Sequence, residues 1–270
     1  LNIQTIIAYE NARKPGLNLF FASSISDLVK HLQAFTPPFH QRFIFKDSNF
    51  TQHFVFFDFI ANSDLPPSVI LIDSSTINHF RTHALYIHLE EQLRSLPLFK
   101  NMVASIIDTQ VQSSLADCLI FCSSFALKAQ KHQALFSQWH AHQQKNEEIA
   151  SSQLSKSPYH DTFKEKSYLV YSPYGLLPVD FFKHTHSRKI IDKELNALDK
   201  PSEKIHAQKN LSAEMLMLKK QQHEQRYISN GQAMEYLPSI EYKRRALILR
   251  TITAADSIAS NNIHTAMALT

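Results

Sequence analysis

The chain has 270 residues, 44% of them hydrophobic and 19% charged, with a formal net charge of +4 at pH 7. That is ordinary for a soluble globular protein and enough to bury a substantial core as one domain with an elaboration, or as two small lobes. No apolar run approaches the ~20 residues that span a bilayer, no Walker loop or dinucleotide glycine fingerprint points to ATP or NAD chemistry, and the basic residues lack the aromatic interleaving of single-strand nucleic-acid binders.

In chain order, Ile3–Ala12 has helical apolar spacing and stops at Lys14-Pro15-Gly16. Ser24–Gln33 is a second short helix with Ser or Asp near its start. Pro37-Pro38 breaks the chain. Arg42–Phe45, Phe54–Phe59 and Val69–Ile72 are β-branched or aromatic runs bounded by Asn, Asp, Ser and Pro, and read as strands. Ser74–Leu96 is expected to be a long helix, capped by Ser74, Ser75 or Thr76, with Leu85, Leu89 and Leu93 on one face. Met102–Ile107 is a further strand, and Cys118–Trp139 one helix that becomes polar as it emerges. Asn146–Lys166 is polar and aperiodic, as expected of a mobile connection. Helices return at Arg188–Leu198, Ala213–Gln225 and Ser239–Arg250. The last twenty residues have no clear apolar face and are expected to fray.

The segment from Gln112 to Phe121 carries the chemistry. Cys118 follows a polar run and opens an apolar helix, where helix-terminal N–H groups and the helix dipole favour a thiolate. Gln112, six residues upstream, can place an amide donor beside it. His53 heads the strand Phe54–Phe59, and Asp73 ends the run Val69–Ile72. Base, orienting acid, oxyanion donor and nucleophile thus occur in the order His53, Asp73, Gln112, Cys118, the four roles that cysteine-nucleophile chemistry needs. Asp58 is the alternative acid, but strand alternation sets it on the opposite side from a partner of His53. Gln110 is the alternative donor. Asp73 also has a plain reading as a strand-end or helix-capping residue.

Cys118 and Cys122, the two cysteines, lie one turn apart and are poorly placed for a disulfide. They fit a reducing compartment with one catalytic thiol, Cys122 being structural. His79 and His83 have the i,i+4 spacing of a zinc pair, but no HExxH or zinc-ribbon pattern completes it, so no metal is expected there. Lys and Arg concentrate after Lys156, which suggests an anion site in the C-terminal part.

These features, in this order, resemble the YopJ family of bacterial effector acetyltransferases, within the clan of cysteine proteases that cleave ubiquitin-like proteins. The resemblance is carried by Pro15-Gly-Leu-Asn-Leu19 with Ser24-Ile-Ser-Asp-Leu28, by Arg42-Phe-Ile-Phe45 with His53-Phe54 and Asp58-Phe59, by the Gln112–Cys118 spacing, by Leu177-Pro178 with Phe182-Lys-His-Thr-His-Ser-Arg-Lys189, and by Tyr242-Lys-Arg-Arg245. It extends from about Pro15 to Arg250. One departure stands out: the family has glycine after the nucleophile, where this chain has Leu119.

The resemblance implies a mixed α/β (α+β) fold with a cysteine-protease-like core, strands bearing His and Asp, a helix bearing Cys, and a helical regulatory lobe. It implies residues 36–145 as catalytic core, 1–35 and 146–250 as regulatory and cofactor-binding lobe, and 251–270 as a tail. It implies acetyl transfer from acetyl-CoA, through Cys118, to Ser, Thr or Lys of a host protein, with inositol hexakisphosphate as activator. The residues it assigns to these ligands are Lys183, Thr185, Ser187, Arg188, Lys189, Lys243, Arg244 and Arg245. It further implies delivery into host cytoplasm by a specialised secretion system. Because the chain begins with Leu, a targeting segment is expected to lie outside this sequence. The rival readings are a protease for ubiquitin-like proteins, which the same four residues would serve, and a catalytically impaired effector that only binds its target.

Overall fold

The computed structural model describes residues 3–46, 53–75, 80–112, 117–149, 168–185, 188–197, 204–206, 211–212, 225–229, 232–236, 243–250 and 252–253. A six-stranded sheet runs in the order β1 (Leu19–Ala22), β2 (Phe39–Lys46), β3 (Phe54–Ala61), β4 (Ser68–Asp73), β5 (Val103–Asp108) and β6 (Tyr168–Tyr171). β1 lies parallel to β2, β2–β3–β4 form an antiparallel meander, and β4, β5 and β6 are parallel.

Helices cover both faces, so the strands are buried on both sides and read as continuous apolar runs. Alternate side chains divide between the two layers. Ile44, Phe56, Ile70, Ile72 and Ile107 pack with α1 (Ile3–Arg13), α4 (Cys118–Lys131) and α5 (Gln133–Gln144). Phe43, Phe45, Val55, Phe57, Phe59, Val69 and Leu71 pack with α2 (Ile25–Gln33) and α3 (Phe80–Arg94). Each fully buried Phe of β3 contributes on the order of 1.5–3 kcal/mol of burial.

Local rules set the helix ends. The Ser24 hydroxyl accepts from the Asp27 N–H at 3.1 Å and caps α2, while the Asp27 carboxylate accepts from the Ser23 N–H at 2.8 Å. This satisfies two backbone donors that a helix start leaves open. Leu85, Leu89 and Leu93 form the buried stripe of α3, as their spacing predicts. Ser74 and Ser75 lie in a bend held by the site described below and not in the helix; residues 76–79, Thr76 among them, lie outside the described residues, and α3 is described from Phe80.

The helix expected over Cys118–Trp139 is two helices. His132 adopts φ −105°, ψ 33° between α4 and α5. Its ring and the Lys131 ammonium both bond the Asp180 carboxylate, at 3.1 and 2.5 Å. The break turns α5 so that Phe136 packs on Trp139 and Phe181, at ring-centroid distances of 5.0 and 6.2 Å.

β1 and β6, four residues each, have no counterpart in the sequence-based expectation. Later in the chain α6 (Arg188–Ala197) forms as expected, and residues 243–250 are helical. Two small hairpins lie between them, β7 (Lys204–His206) with β8 (Leu211–Ser212), and β9 (Gln225–Ser229) with β10 (Gln232–Tyr236). Of the helix expected over Ala213–Gln225, residues 213–224 lie outside the described residues and Gln225 is in a strand. The connection expected over 146–166 lies outside them from residue 150 onward, and the tail outside them after 253.

Candidate active site

Three structural facts converge at one edge of the sheet. β4 and β5 both end there, with Asp73 paired in register to Asp108. β3 is antiparallel to β4, so it begins at that edge, and His53 immediately precedes it. The chain leaving β5 reaches Gln112 and then α4, whose first residue is Cys118. Sheet topology therefore gathers residues separated by up to 65 positions.

His53 Nε2 lies 2.8 Å from Asp73 Oδ1. Asp73 is fully buried, and its carboxylate also accepts from the Tyr86 hydroxyl at 2.5 Å and the Ser75 N–H at 2.8 Å. Its backbone carbonyl accepts from the Thr109 N–H at 3.0 Å and from the Thr109 hydroxyl. Burial works against the charged carboxylate, but the His53 charge and these donors outweigh it and lower the Asp73 pKa. Burial also pushes the Tyr86 phenol far above its ordinary pKa, so it remains a donor.

Cys118 is buried and hydrogen-bonds His53, the Gln112 side chain and the Phe54 backbone N–H. Desolvation alone would raise its pKa; these contacts and the His53 charge lower it instead. Burial pulls His53 down, yet the charge of Asp73 and its hydrogen bond, with Cys118, bring it up to about 10. Both shifts favour the thiolate–imidazolium form of the pair. Cys122, one turn on, is fully buried, and desolvation with the nearby Cys118 and Asp73 charges raises its pKa well above the ordinary value.

Gln112 is oriented from behind. The Ser74 hydroxyl donates to Gln112 Oε1 at 2.7 Å, and the Gln112 backbone N–H donates to the Ser74 carbonyl at 2.9 Å. With its oxygen held by Ser74, Gln112 presents its NH2 to Cys118. Gln110 turns away, with φ +50° and its amide on Asp108 at 2.8 Å. Asp58 sits on the α5 side of the sheet with Arg42 and His40, remote from Cys118. Leu119 is partly buried against the core layer that contains α4. Ser113 and Ser114 lie outside the described residues, as do the side chains of His79 and His83.

Asp117, the residue before the nucleophile, is fully buried and bonds the Arg244 guanidinium from the C-terminal helical segment. Sequence reasoning missed this pair, and with it Tyr86, Ser74 and Thr109.

Beside α4 lies a concentration of positive charge. Desolvation, with the Lys243, Lys183 and Lys131 charges, lowers the Lys128 pKa to about 7 despite the opposing Asp180. Desolvation, with Arg250, Lys183 and Lys14, lowers Lys243 to about 8 against the pull of Glu10. Lys183 and Lys243 thus lie near Lys14, which follows α1, and near Lys128 of α4, cations that no local motif announced. Of the other residues assigned by resemblance, Arg245 and Lys189 are exposed, and Arg244 is engaged by Asp117. Thr185 is buried, its hydroxyl donating to the Val111 carbonyl at 3.1 Å. Ser187 and the Arg188 side chain lie outside the described residues.

A helix-borne cysteine, hydrogen-bonded to a histidine that a buried aspartate orients, with an amide donor alongside, defines a thiol-nucleophile centre on an α/β sheet. Such a centre is suited to passing acyl groups through a thioester. The profile of the YopJ Serine/Threonine acetyltransferase family matches residues 1–250, and the chain belongs to that family. It is 28% identical over 200 residues to the serine/threonine-protein acetyltransferase HopZ1a of Pseudomonas syringae pv. syringae, an alignment covering 68% of this chain and 53% of that protein. The chain thus spans about half the length of this curated relative. The fold is that of HopZ1a in complex with IP6 and CoA, with a TM-score of 0.77 at 23% identity, covering 94% of this chain and 84% of the other. It is also that of AvrA delL154 with IP6 and CoA, with a TM-score of 0.69 at 20% identity, covering 93% and 86%.

Proposed function

We propose that the protein is an acetyltransferase that uses Cys118, His53 and Asp73 as a catalytic triad with Gln112 as oxyanion donor. The observation that carries this reading is the hydrogen-bonded chain Tyr86–Asp73–His53–Cys118–Gln112, assembled on the fold of this family. The Cys118 thiolate attacks the acetyl carbonyl of acetyl-CoA. The tetrahedral oxyanion is met by the Gln112 NH2, and its collapse expels the CoA thiolate, which takes the proton held on His53. In the second half-reaction neutral His53 removes a proton from a Ser, Thr or Lys of the target. The freed nucleophile attacks the thioester, and the Cys118 thiolate leaves, restoring its ion pair with His53. Leu119 departs from the family glycine, but all four side chains keep their contacts, which favours an active enzyme.

Inositol hexakisphosphate is the proposed activator and acetyl-CoA the donor. HopZ1a and AvrA, whose structures were solved with IP6 and CoA, share the fold. Lys14, Lys128, Lys183 and Lys243 supply the converging cations that a polyphosphate needs, beside Lys131, which is paired to Asp180, and Arg250, which is paired to Glu10. We assign catalysis to residues 36–145 and ligand binding to 1–35 and 146–250, with Lys128 and Lys131 reaching across. The acceptor is proposed to be a host protein, met after delivery into host cytoplasm. Among the described residues no helix is long and apolar enough to cross a membrane. The test is incubation with radiolabelled acetyl-CoA, with and without inositol hexakisphosphate, beside a ubiquitin-conjugate cleavage assay. Labelling that the polyphosphate increases supports acetyl transfer, whereas conjugate cleavage without labelling would place the chemistry with the proteases.

A further inference from the structure

Five residues after His53, β3 carries a second buried aspartate, Asp58, roughly 16 Å along the strand from the catalytic edge. Its Oδ2 accepts from Arg42 Nε at 3.0 Å. Its Oδ1 faces two histidines, His40 Nε2 on β2 at 2.5 Å and His140 Nε2 on α5 at 3.5 Å. Asp58 is fully buried, His140 is 1% exposed, and the His40 side chain is 20% exposed. We propose that His40, Asp58 and His140 form a binding site for a divalent transition-metal ion of the zinc class.

The site rests on the convergence of these three side chains and on the buried, unpartnered His140 Nε2. The Ser68 hydroxyl donates its single proton to Gln143 Oε1 at 2.6 Å. With Ser68 donating to Gln143, His140 Nδ1, 2.8 Å from the same hydroxyl oxygen, is the donor in that contact. In the same arrangement the Gln143 NH2 donates to the Ser105 hydroxyl. With the Nδ1 position protonated, neutral His140 presents a bare lone pair at Nε2, and that buried atom has no hydrogen-bond partner. It looks across 3.5 Å at a carboxylate oxygen, which is also an acceptor. Two acceptors facing each other in the interior are compatible when a cation lies between them.

The arrangement has the features of a zinc-type site. Three ligands come from two strands and a helix, and their donor atoms all lie within 4.8 Å of one another. Tetrahedral bonds of ~2.0–2.1 Å place ligand atoms roughly 3.3 Å apart. The His140–Asp58 separation already fits, and His40, the exposed member, needs to swing outward by about 1 Å or less. His40 also marks the entry path, leaving a fourth position for water. The Nδ1–H of His140 on Ser68 is the second-shell bond that orients a metal-binding imidazole. Arg42 takes the other carboxylate oxygen and offsets part of its charge, so the site suits a nitrogen-preferring ion better than Ca²⁺ or Mg²⁺, which require more oxygen ligands. A metal here would tie α5 to β2 and β3, independently of the thiol chemistry.

The full chain carrying Cys118→Ala, which removes the competing thiolate–imidazole pair, provides the test. The protein is stripped with a chelator and titrated with Zn²⁺ against a chromophoric chelator, while thermal unfolding is followed in parallel. One equivalent should bind and raise Tm, and His40→Ala should weaken binding by at least ~100-fold. Co²⁺ in place of Zn²⁺ should give the visible bands of a four-coordinate site without thiolate charge transfer. His140→Gln, checked for folding by circular dichroism, should also lose the metal; if it does not fold, His40→Ala decides alone. Absence of stoichiometric binding, a Tm indifferent to Zn²⁺, or undiminished affinity in His40→Ala would overturn the site.

Discussion

Two aspartates on neighbouring strands of one sheet are both fully buried and both bonded to histidine, yet they are built for different ends. Asp73 ends β4 at the sheet edge, on the α3 side, where Tyr86 and the Ser75 N–H hold it and His53 links it to Cys118. Asp58 sits mid-strand on the α5 side, paired to the fully buried Arg42 guanidinium. Only the first histidine meets a thiol. A buried carboxylate next to histidine is thus a common solution to burying charge. What brings one of them to a thiol is position at the edge, where strand ends and a helix start meet.

The comparison breaks most sharply under paired substitution. Asp73→Asn should retain the fold and reduce acetyl transfer by roughly 10²–10⁴-fold, because an amide no longer stabilises the imidazolium or selects its tautomer. Asp58→Asn should instead leave Arg42 uncompensated and destabilise the protein by about 3–5 kcal/mol, read by urea unfolding, while the folded fraction keeps its rate per molecule. Equal rates for Asp73→Asn and wild type, with Asp58→Asn inactive though folded, would reverse the assignment.

The basic region gives the next largest effect. Inositol hexakisphosphate should raise Tm at low salt, and the shift should fade as salt is added. Lys128→Ala with Lys243→Ala should remove most of it. Because these two lysines sit at about 7 and about 8 before ligand arrives, a bound polyanion draws them to the protonated state. Binding should therefore take up protons and weaken as pH rises through that range. Calorimetry in buffers of different ionisation enthalpy reads this directly, and zero uptake at pH 8 would argue that neither lysine faces the ligand.

The ion pair predicts a pH signature. The rate of Cys118 alkylation should inflect below the ordinary thiol value, and Asp73→Asn should move that inflection upward. For stability the signs are opposite at the two ends. The raised His53 pKa contributes stability below 6.5 that is lost as pH rises through about 10. The lowered Asp73 pKa contributes stability above 3.8 that is lost as pH falls. An alkylation inflection at or above the free-thiol value would mean that the thiolate is not stabilised.

Leu119→Gly should have the smallest effect. It relieves any crowding beside the acyl group but adds about 1 kcal/mol of helix cost, so a modest rise in turnover with a slightly lower Tm is expected. Lower turnover at unchanged Tm would indicate that Leu119 itself shapes the acyl site.

Much of this site was legible in the sequence because short-range rules produce it. The apolar run Phe54–Phe59 announced a strand buried on both faces, and the parity between His53 and Asp58 placed Asp58 on the other side. The six-residue step from Gln112 to Cys118 is a local distance. What escaped was assembled across the fold. Lys14 and Lys128 join Lys183 and Lys243 only once α1, α4 and the C-terminal segment pack together. Arg244 looked like a ligand-binding cation, yet it meets Asp117 over 127 positions. The division of α4 from α5 depends on Asp180, which lies 48 residues beyond His132. The His40–Asp58–His140 cluster draws one residue from each of three elements, and no local spacing marks it.

The central claim is that Cys118 carries the acyl group. It is tested most directly by peptide mass spectrometry of the protein quenched in acid after mixing with acetyl-CoA and inositol hexakisphosphate. The account predicts one acetyl group on the Cys118 peptide, removed by neutral hydroxylamine, absent in Cys118→Ala and retained in Cys122→Ala. Acetyl label that persists in Cys118→Ala, or that is lost only in Cys122→Ala, would contradict it.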